Sequence, residues 1–503
     1  MIRRAFRPEA RPSWRTLGLA AIAGALGALG QAPWSLWPVA LLGFAGLFWL
    51  YRETLSAPKA AWIGWAGGAG YFAIALFWLV EPFLVDIARH GWMAPFALFF
   101  MSGGLALIWA TAFGVAHRIG GLIALVILWC AAEMLRSVLF TGFPWATVGH
   151  IWSGHPILQL AALGGTPVLT CVALAISAGP SSRKPLVGIG MSAALLGGSW
   201  LYGAQVLSTN AALFTDQTVR LIQPNAAQHL KWDPEHSGRF LQRAVDLTTE
   251  PADAPLDLIV WPETSVPYPL NGAPAVLEAI AKAGRGTSVI VGGNDRIEDG
   301  WRNTLTLLDQ NGQRTQTYHK YHLVPFGEYI PFGEALSKLG IRGLASRDGG
   351  GFSKGPGPQL MDLPGIGPAL PLICYELIFP RSFRGLDRPN LLLQITNDAW
   401  FGNISGPYQH LAQAQVRAVE QGLPLIRAAN TGVSAVIDPW GRVLAQTQLN
   451  EVAFLDAKVP APTDATLYSR VDDWPMRGGL AVLLLWLIIA RRRVSIDQTA
   501  PHR

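Results

Sequence analysis

The chain has 503 residues, of which 50% are hydrophobic and only 14% are charged, whereas a typical soluble protein carries about 25% charged residues. This composition excludes an entirely soluble protein, and the 20 tryptophans suit a chain that contacts a bilayer interface. The formal net charge of +6 does not indicate a nucleic-acid-binding protein, because the basic residues fall in short clusters beside apolar segments.

Apolar segments of about the length that a bilayer requires, roughly 20 residues, recur in residues 1–205 and again in residues 471–503. We predict about eight membrane-spanning helices, seven before residue 206 and one near the C-terminus. The predicted spans are Leu17–Ala32, Trp34–Tyr51, Ala60–Val80, Trp92–Ala116, Ile119–Leu139, Ile157–Gly179, Leu186–Gln205 and Trp474–Ala490. A cleaved signal peptide is not expected, because many spans follow and no clean cleavage site precedes them.

The loops between these spans predict the orientation of the chain. If the N-terminus is cytoplasmic, every inside loop carries basic residues, as the positive-inside rule requires. These residues are Arg52, Lys59, His117, Arg118, Arg183, Lys184 and Arg491–Arg493. An odd number of spans before residue 206 then places residues 206–470 outside the cytoplasm, which is the periplasm in a Gram-negative bacterium.

Charged residues are nearly absent from the predicted spans. Glu133 and Arg136 lie at the outer end of the fifth span, where an ion pair at a helix end is the simplest interpretation. A pathway for ions or protons would need charged groups within the membrane, so this class of function is disfavoured.

Residues 206–470 alternate short β-rich runs with helical and turn segments, which predicts one α/β sandwich domain inserted before the last span. The predicted strands are Thr218–Gln223, Leu256–Trp261, Ser288–Gly292, Asn303–Asp309, Gln313–Tyr318, Ala369–Cys374, Leu391–Thr396 and the two runs that flank Asp438–Gly441. The predicted helices are Phe240–Thr248, Pro274–Ala283 and Tyr408–Gln421. Residues 333–358 are glycine-rich and lack periodicity, so we expect either an active-site lid or a disordered linker there.

Cys374 is the only cysteine in the hydrophilic part of the chain, whereas Cys130 and Cys171 lie in apolar spans and are interpreted as packing residues. A thiol at the end of a core strand, with the carboxylate of Glu376 two residues on, is a candidate nucleophile. Considered alone, Cys374 is better explained as a small packing residue, because free cysteine is among the most buried residue types.

Two other reactive residues share this placement at strand ends. Glu263 follows the strand Leu256–Trp261, and Lys320 follows the second strand of the predicted hairpin. Sites in open α/β sheets form where several strand ends converge. A carboxylate in a poorly hydrated pocket can take the proton of a thiol, and an ammonium group can stabilise a thiolate or an oxyanion. Singly, each of these residues could instead be an ordinary surface or turn residue.

The sequence is at this point also compatible with an enzyme that uses a cysteine–histidine pair. His319 is adjacent to Lys320 and would point to the opposite face of an extended segment, whereas His322 would share the face of the lysine. Asn397 and Asp398 follow the strand Leu391–Thr396 and could form a simple turn.

Three segments taken together resemble the signature blocks of the nitrilase, or carbon–nitrogen hydrolase, superfamily, in the order of that family. They are WPET at 261–264, YHKYHLVPFGEYIP at 318–331 and CYE at 374–376. The further blocks LIQPNAAQHLKWDP, NDAWFG and AVEQGLPLIRAANTGVSAVIDPWG, together with the spans, resemble one membrane-bound family, the apolipoprotein N-acyltransferases, over nearly the whole chain.

This resemblance implies a nitrilase-like αββα sandwich on a multi-pass helical membrane domain. It implies that Glu263 is the general base, that Lys320 stabilises the oxyanion and thiolate, and that Cys374 is the nucleophile. Supporting active-site residues would be Glu328, Tyr375 and Glu376. Substrate contacts would include Trp232, Phe326, Tyr329 and Trp400, with Phe332 and Phe401 also expected along the path of the lipid. The resemblance implies no metal and no dissociable cofactor.

The implied reaction is ping-pong acyl transfer. Cys374 would take an acyl chain from a phospholipid, typically phosphatidylethanolamine, and pass it to the α-amine of the N-terminal diacylglyceryl-cysteine of an apolipoprotein. This last step of lipoprotein maturation would take place at the bacterial inner membrane, with the catalytic domain on the periplasmic side. We expect a monomer whose partners are the bilayer, the phospholipid and the apolipoprotein, and no nucleic acid.

Two other functions are compatible with parts of this pattern. A membrane-bound amidase that releases the acyl group to water would share the three reactive residues and differ only in its acceptor. A transporter or scaffold that merely binds lipid is disfavoured by the shortage of charge within the spans and by the Glu–Lys–Cys set.

Overall fold

The computed structural model describes residues 11–298, 300–331 and 351–499, which form two compact units. The first unit contains the described residues up to Val80, the segment Met93–Asn210 and the described residues from Ala465 onward. The second contains Glu81–Trp92 and Ala211–Asp464. Phe332 and most of the glycine-rich segment 333–358 lie outside the described residues.

The first unit is built from apolar helices, and a helix lies in each of the eight segments predicted to span a membrane. They are α1 (Trp14–Ala28), α2 (Trp37–Arg52), α3 (Ala57–Ala75), α4 (Ala94–Ile119), α5 (Leu122–Arg136), α6 (Ala161–Ala178), α7 (Pro185–Thr209) and the C-terminal helix Trp474–Thr499. Proline lies in the first turn of α2, α3, α4 and α7, where its missing N–H costs no helical hydrogen bond.

Three helical stretches of the described chain are long and apolar enough to cross a membrane: Ile87–Ile119, Pro156–Ser181 and Pro185–Thr209. The bent pair Ala57–Ala75 and Phe77–Leu84 would add a fourth. The chain therefore contains at least three candidate membrane spans, and the larger number of eight stays a prediction.

Glu133 and Arg136 form a buried ion pair in the last turn of α5, with 2.7 Å between the guanidinium and the carboxylate. Trp109 Nε1 donates to Glu133 Oε1 at 2.7 Å, and Arg136 donates to the main-chain carbonyl of Trp145 at 2.8 Å. Because a buried charge is tolerated when it is paired and hydrogen-bonded, these contacts make the pair a packing element of the helical unit.

The second unit contains twelve strands and three longer helices among the described residues. The strands are β1 (Phe214–Gln223), β2 (Leu258–Val260), β3 (Ser288–Ile297), β4 (Gly300–Leu308), β5 (Arg314–His319), β6 (Met361–Leu363), β7 (Gly367–Ile373), β8 (Leu391–Thr396), β9 (Leu425–Ala429), β10 (Ala435–Ile437), β11 (Val443–Gln446) and β12 (Ala453–Pro460). The helices are α8 (Pro234–Thr249), α9 (Pro274–Ala283) and α10 (Gly406–Gln421).

The strands form two six-stranded sheets, in the orders β12-β1-β2-β3-β4-β5 and β11-β10-β9-β8-β7-β6. In the first sheet β1, β2 and β3 are parallel, and in the second β7, β8 and β9 are parallel. The first sheet packs against α8 and α9 through residues such as Ile259, Ala244 and Ile280. The second packs against α10 through residues such as Leu392 and Ala414.

The remaining faces of the two sheets meet each other, as the hydrogen bond from Ser434 Oγ near β10 to Gln223 Oε1 on β1 (2.8 Å) illustrates. The order of layers is therefore helix, sheet, sheet, helix. This is the two-sheet αββα sandwich that the sequence predicts.

The topology brings the ends of several strands to one edge. Glu263 follows β2, and Lys320 follows β5, which runs in the direction of β2 because β4 is antiparallel to both β3 and β5. In the second sheet, Cys374 follows β7 and Asn397 follows the parallel strand β8. The candidate residues thus sit on strand ends, where side chains can converge.

Gly292 on β3 lies where the first sheet packs closely against both the Glu263 segment and the second sheet, and only a glycine fits there. A Cβ atom at this position would collide with the carbonyl oxygen of Pro262, and it would lie 2.7 Å from Glu263 Cα and 2.8 Å from Ile395 Cδ1 on β8. These neighbours are main chain and core, so they have little room to move.

We therefore expect Gly292→Ala to lower the unfolding temperature of the purified protein, because overpacking a dense core costs about 1–3 kcal/mol. Thermal unfolding in detergent, followed by intrinsic fluorescence, measures the effect. Gly238→Ala is the control: it lies in α8 with no atom within 4 Å of the added Cβ. An unchanged unfolding temperature for Gly292→Ala would contradict this account of the packing.

Candidate active site

The ammonium group of Lys320 lies between two carboxylates. Its Nζ is 2.9 Å from Glu328 Oε1 and 3.4 Å from Glu263 Oε1, and all three residues are buried. Burial alone would lower the pKa of Lys320, but the negative charges of Glu328 and Glu263 raise it above its usual range. Lys320 is therefore a fixed positive charge inside a poorly hydrated pocket.

Neutral donors hold the two carboxylates in place. Asn303 Nδ2 donates to Glu263 Oε1 at 2.7 Å and to Glu328 Oε1 at 3.1 Å. The main-chain N–H of Asn397 donates to Glu263 Oε2, and that of Val324 donates to Glu328 Oε2, each at 2.8 Å. Glu263 therefore keeps one orientation with respect to both Lys320 and the end of β8.

Cys374 follows β7 directly and is 5% exposed. Its φ of +53° lies in the left-handed region, which non-glycine residues rarely adopt and which is common at functional sites. Burial raises the pKa of the Cys374 thiol, and the charge of Glu263 raises it further, whereas Lys320 lowers it. The net shift is upward, so the resting group is a thiol and attack by its sulfur needs a base.

Glu376 ties the Cys374 strand to the Lys320 segment. Its Oε1 accepts hydrogen bonds from the Tyr318 hydroxyl (2.8 Å) and from the main-chain N–H groups of Tyr321 (2.8 Å) and His322 (3.0 Å). Its Oε2 accepts from the main-chain N–H of Ile373 at 2.8 Å. These contacts support the site by joining its two segments. The other residue of the CYE block, Tyr375, is also buried, with its ring 5.0 Å from that of Phe379.

A second buried lysine, Lys231, adjoins Glu263, and the sequence analysis did not single it out. Its Nζ donates to the main-chain carbonyl of Glu263 at 3.2 Å and to Thr264 Oγ1 at 2.8 Å. Burial lowers the pKa of Lys231 to about 8, against the opposing charge of Glu263. The sequence analysis did not single out Asn303 either. Lys231 could have been noticed because it adjoins Trp232 in the KWDP block, whereas no sequence pattern marked Asn303.

The two histidines near Lys320 each contact a residue other than Glu263, Lys320 and Cys374. The His322 ring stacks on Phe379 with 3.5 Å between centroids, and His319 Nδ1 lies 3.1 Å from Thr304 Oγ1. The charges that act on Cys374 come from Glu263, Lys320 and Asp398. The geometry thus favours a carboxylate over an imidazole as the partner of the thiol.

The aromatic residues predicted to contact substrate have different environments. Trp232 is half-buried and lines a small cavity together with Lys231 and Thr264. Phe326 is 54% exposed, and Tyr329 and Trp400 are half-buried. Phe401 is buried, with its ring centroid 5.4 Å from that of His410, so it is a core residue and not the lipid contact that we expected.

Part of the glycine-rich segment lies beside the site. The main-chain N–H of Phe352 donates to the carbonyl of Glu328, and that of Gly355 donates to the carbonyl of Lys320, each at 2.8 Å. Residues 351–355 therefore pack along the main chain that carries the ammonium and one of its carboxylates.

One group of potential metal ligands occurs in the described part of the chain: Asp233, Glu235 and His236 at the start of α8. Asp233 is the N-cap of this helix, and its Oδ1 accepts from the Glu235 main-chain N–H at 2.9 Å. Helix capping accounts for this grouping without a metal.

Comparison with known proteins extends these observations to the whole chain. The carbon–nitrogen hydrolase family model matches residues 218–465, and the model of the apolipoprotein N-acyltransferase N-terminal domain matches residues 23–179. A solved amidase of Nesterenkonia AN1 from the nitrilase superfamily shares 19% identity, with a TM-score of 0.38 over 53% of this chain and 98% of that chain.

Two curated relatives align along almost their entire length. A protein of Rhodopseudomonas palustris named apolipoprotein N-acyltransferase is 34% identical, over 95% of this chain and 96% of its own. A protein of the same name from Allorhizobium ampelinum is 36% identical, over 98% of each chain. Because this identity covers the helical and the α/β parts alike, the chain belongs to the apolipoprotein N-acyltransferase family.

Proposed function

We propose that the protein transfers an acyl chain from a phospholipid to the N-terminal amine of an apolipoprotein, through a thioester on Cys374. The observation that carries this proposal is the buried ammonium of Lys320, held between Glu263 and Glu328 and joined to the Cys374 segment through Glu376. A hydrolase would share this arrangement, and it is the name of the relatives, apolipoprotein N-acyltransferase, that supports a lipoprotein amine over water as the acceptor. The donor that we infer is phosphatidylethanolamine.

In the first half-reaction, Glu263 takes the proton of the Cys374 thiol while the sulfur attacks the ester carbonyl of the phospholipid. The carbonyl oxygen becomes an oxyanion, which the ammonium of Lys320 stabilises at short range in a dry pocket. When the tetrahedral intermediate collapses, the C–O bond breaks and Glu263 returns its proton to the leaving alkoxide. The products are the acyl-enzyme and a lysophospholipid.

In the second half-reaction, the neutral α-amine of the diacylglyceryl-cysteine attacks the thioester carbonyl. Glu263 accepts a proton from the attacking nitrogen, and Lys320 again faces the oxyanion. Collapse of the intermediate breaks the C–S bond, and the thiolate recovers its proton from Glu263. Glu328 orients Lys320 throughout, and Glu376 and Tyr375 support the segment that carries Cys374.

We further propose that residues 1–205 and 471–503 supply about eight spans of the bacterial inner membrane, and that residues 206–470 form the catalytic domain on the periplasmic side. Both substrates are anchored in lipid, and pulling a chain out of a bilayer costs about 0.8 kcal/mol per CH₂ group. A membrane-anchored enzyme avoids most of that cost. Trp232, Phe326, Tyr329 and Trp400 are the proposed substrate contacts, and the active form is a monomer.

The central test is intact-protein mass spectrometry after incubation of the detergent-purified protein with phosphatidylethanolamine and no acceptor. We expect a mass gain of one acyl group that neutral hydroxylamine removes and that is absent in Cys374→Ala. Addition of a diacylglyceryl-cysteine peptide should then discharge the adduct and yield the N-acyl peptide. Cys374→Ser should be nearly inactive, because an alcohol is much harder to deprotonate than a thiol.

Other outcomes of the same test point to other functions. Free fatty acid without N-acyl peptide would indicate a hydrolase. A protein that forms no adduct and releases no fatty acid, although it binds the lipid, would be a lipid-binding protein.

Glu263→Gln should separate the reactivity of the thiol from catalysis. The charge of Glu263 raises the pKa of Cys374, so its removal lowers that pKa and increases the thiolate fraction at a fixed pH. We expect Cys374 to be alkylated by iodoacetamide several-fold faster than in the wild type, while turnover falls by about 10²-fold or more because the base is gone. Peptide mass spectrometry distinguishes Cys374 from Cys130 and Cys171.

The matched control for this change is Glu278→Gln on the exposed face of α9, which should alter neither rate. Slower alkylation together with full turnover in Glu263→Gln would exclude Glu263 as the base.

Lys320→Arg should lose most of the activity, because a planar guanidinium does not replace the compact ammonium that fits between two carboxylates. Initial rates of N-acyl peptide formation measure the loss, with Lys282→Arg at the exposed end of α9 as the control. Retention of wild-type rates would show that a point charge at this position is not required.

A further inference from the structure

The main-chain carbonyl of Cys374 accepts a hydrogen bond from one buried side chain and lies beside a second. Gln394 Nε2 donates to it at 3.2 Å, and His410 Nε2 lies at 3.2 Å from the same oxygen. Gln394 belongs to β8 and His410 to α10, and both are fully buried. Because Cys374 has a strained φ of +53°, contacts that fix its peptide also fix the direction in which its sulfur points.

These two side chains are part of a closed ring of four buried residues. Arg427 on β9 donates to Gln394 Oε1 and also to Asp398 Oδ2. His410 Nδ1 lies 2.9 Å from Asp398 Oδ1, and Gln394 Nε2 lies 3.0 Å from His410 Nε2. The guanidinium of Arg427 fixes the orientation of the Gln394 amide. Because a guanidinium only donates, the amide oxygen must face it, and the NH₂ group then faces Cys374 and His410.

The ring also fixes the protonation of His410. Burial would raise the pKa of Asp398, but Arg427 and His410 lower it to about 2, so Asp398 is a carboxylate and accepts only. His410 Nδ1 must then carry the hydrogen of that bond. The Gln394 amide presents an N–H to His410 Nε2, which a neutral imidazole can accept. A protonated imidazole would place two N–H groups against each other.

The groups around the imidazole agree with a neutral ring. Besides Asp398 and Gln394, it faces the guanidinium of Arg427 at 3.3 Å from Nδ1, the edge of Phe401 and the Cys374 carbonyl. Burial lowers the pKa of His410 and the charge of Arg427 lowers it further, which outweighs the opposing effects of Asp398 and of the Cys374 carbonyl.

We propose that His410 is a positioning residue for the nucleophile: as a neutral imidazole in the ring with Asp398 and Arg427, it holds the Gln394 amide in the orientation that donates to the Cys374 carbonyl, and this bond fixes the Cys374 peptide so that the sulfur is aimed at the acyl carbonyl. This inference rests on the proposed role of Cys374. His410 neither touches the substrate nor exchanges a proton with it. Its loss should therefore reduce kcat and leave the KM for phospholipid unchanged.

Three variants test the proposal. His410→Ala removes the donor for Asp398 and the acceptor for Gln394, and His410→Asn keeps a donor for Asp398 but loses the acceptor for Gln394. Gln413→Ala is the matched control, because Gln413 lies one turn further along α10, is equally buried and bonds to the Gln409 carbonyl and not to the ring. Each variant is assayed for acyl-enzyme formation with phosphatidylethanolamine, for alkylation of Cys374 by iodoacetamide and for unfolding temperature.

We expect His410→Ala to slow acyl-enzyme formation at least tenfold at an unchanged KM, since small misplacements of a reacting group can cost about 10²-fold. His410→Asn should be intermediate, and Gln413→Ala should acylate at the wild-type rate even if its unfolding temperature falls. Wild-type acylation in His410→Ala would overturn the proposal, as would losses in all three variants that follow only their unfolding temperatures.

Failure of this inference is distinguishable from failure of the proposed function. If the wild type forms no acyl adduct on Cys374, the proposed function is wrong, and the alkylation rate still reports whether His410 controls the exposure and reactivity of the thiol. An unchanged alkylation rate in His410→Ala would then overturn the positioning role as well.

Discussion

The contact on which the site depends is that of the Lys320 ammonium with the carboxylates of Glu263 and Glu328. Buried carboxylates of this kind cost several kcal/mol each unless they are paired and hydrogen-bonded. With Lys231 as a second ammonium beside Glu263 and Cys374 as a neutral thiol, the formal charges of these five groups sum to zero. Transfer of the thiol proton to Glu263 moves a negative charge within the pocket without changing that sum. Loss of the same proton to solvent would instead leave an uncompensated buried charge, so the base has to lie inside the pocket.

The sandwich supplies this arrangement by joining strand ends from both sheets at positions where the main chain is strained. Cys374, Thr264 and Phe326 all have positive φ, at a cost of about 1–3 kcal/mol each. Such strained conformations persist when several surrounding contacts hold them in place. Around Cys374, Glu376 holds the preceding N–H, and Gln394, which also contacts His410, holds the following carbonyl. The buried ring that contains His410 thus helps to hold the main chain of Cys374 in its strained conformation.

The sequence predicts the elements better than it predicts the contacts between them. The bounds of Pro274–Ala283 and Leu391–Thr396 agree to the residue with the structure, because proline and turn residues mark their ends. The three candidate residues could be placed at strand ends from local pattern alone. Asn303, Lys231 and the ring of His410 could not, because hydrophobic periodicity says which positions are buried and not which buried polar side chains meet. Residues 81–91 were predicted as a loop between spans and Trp92 as the start of the next span, but the contacts of Glu81–Trp92 place this segment in the α/β unit, which no local pattern indicates.

The geometry also suits the two acyl transfers that we propose for one pocket. In both proposed half-reactions the carbonyl that is attacked would be the same group: first as the ester of the phospholipid, then as the thioester on Cys374. Its oxygen therefore becomes negative in nearly the same place twice, and a single fixed ammonium can face it each time. Lys320 is suited to this task because Glu263, Glu328 and Asn303 fix its position before any substrate arrives. In water, solvent dipoles would have to reorient around each oxyanion. In the folded protein the ammonium is already in position, so neither step requires that reorientation.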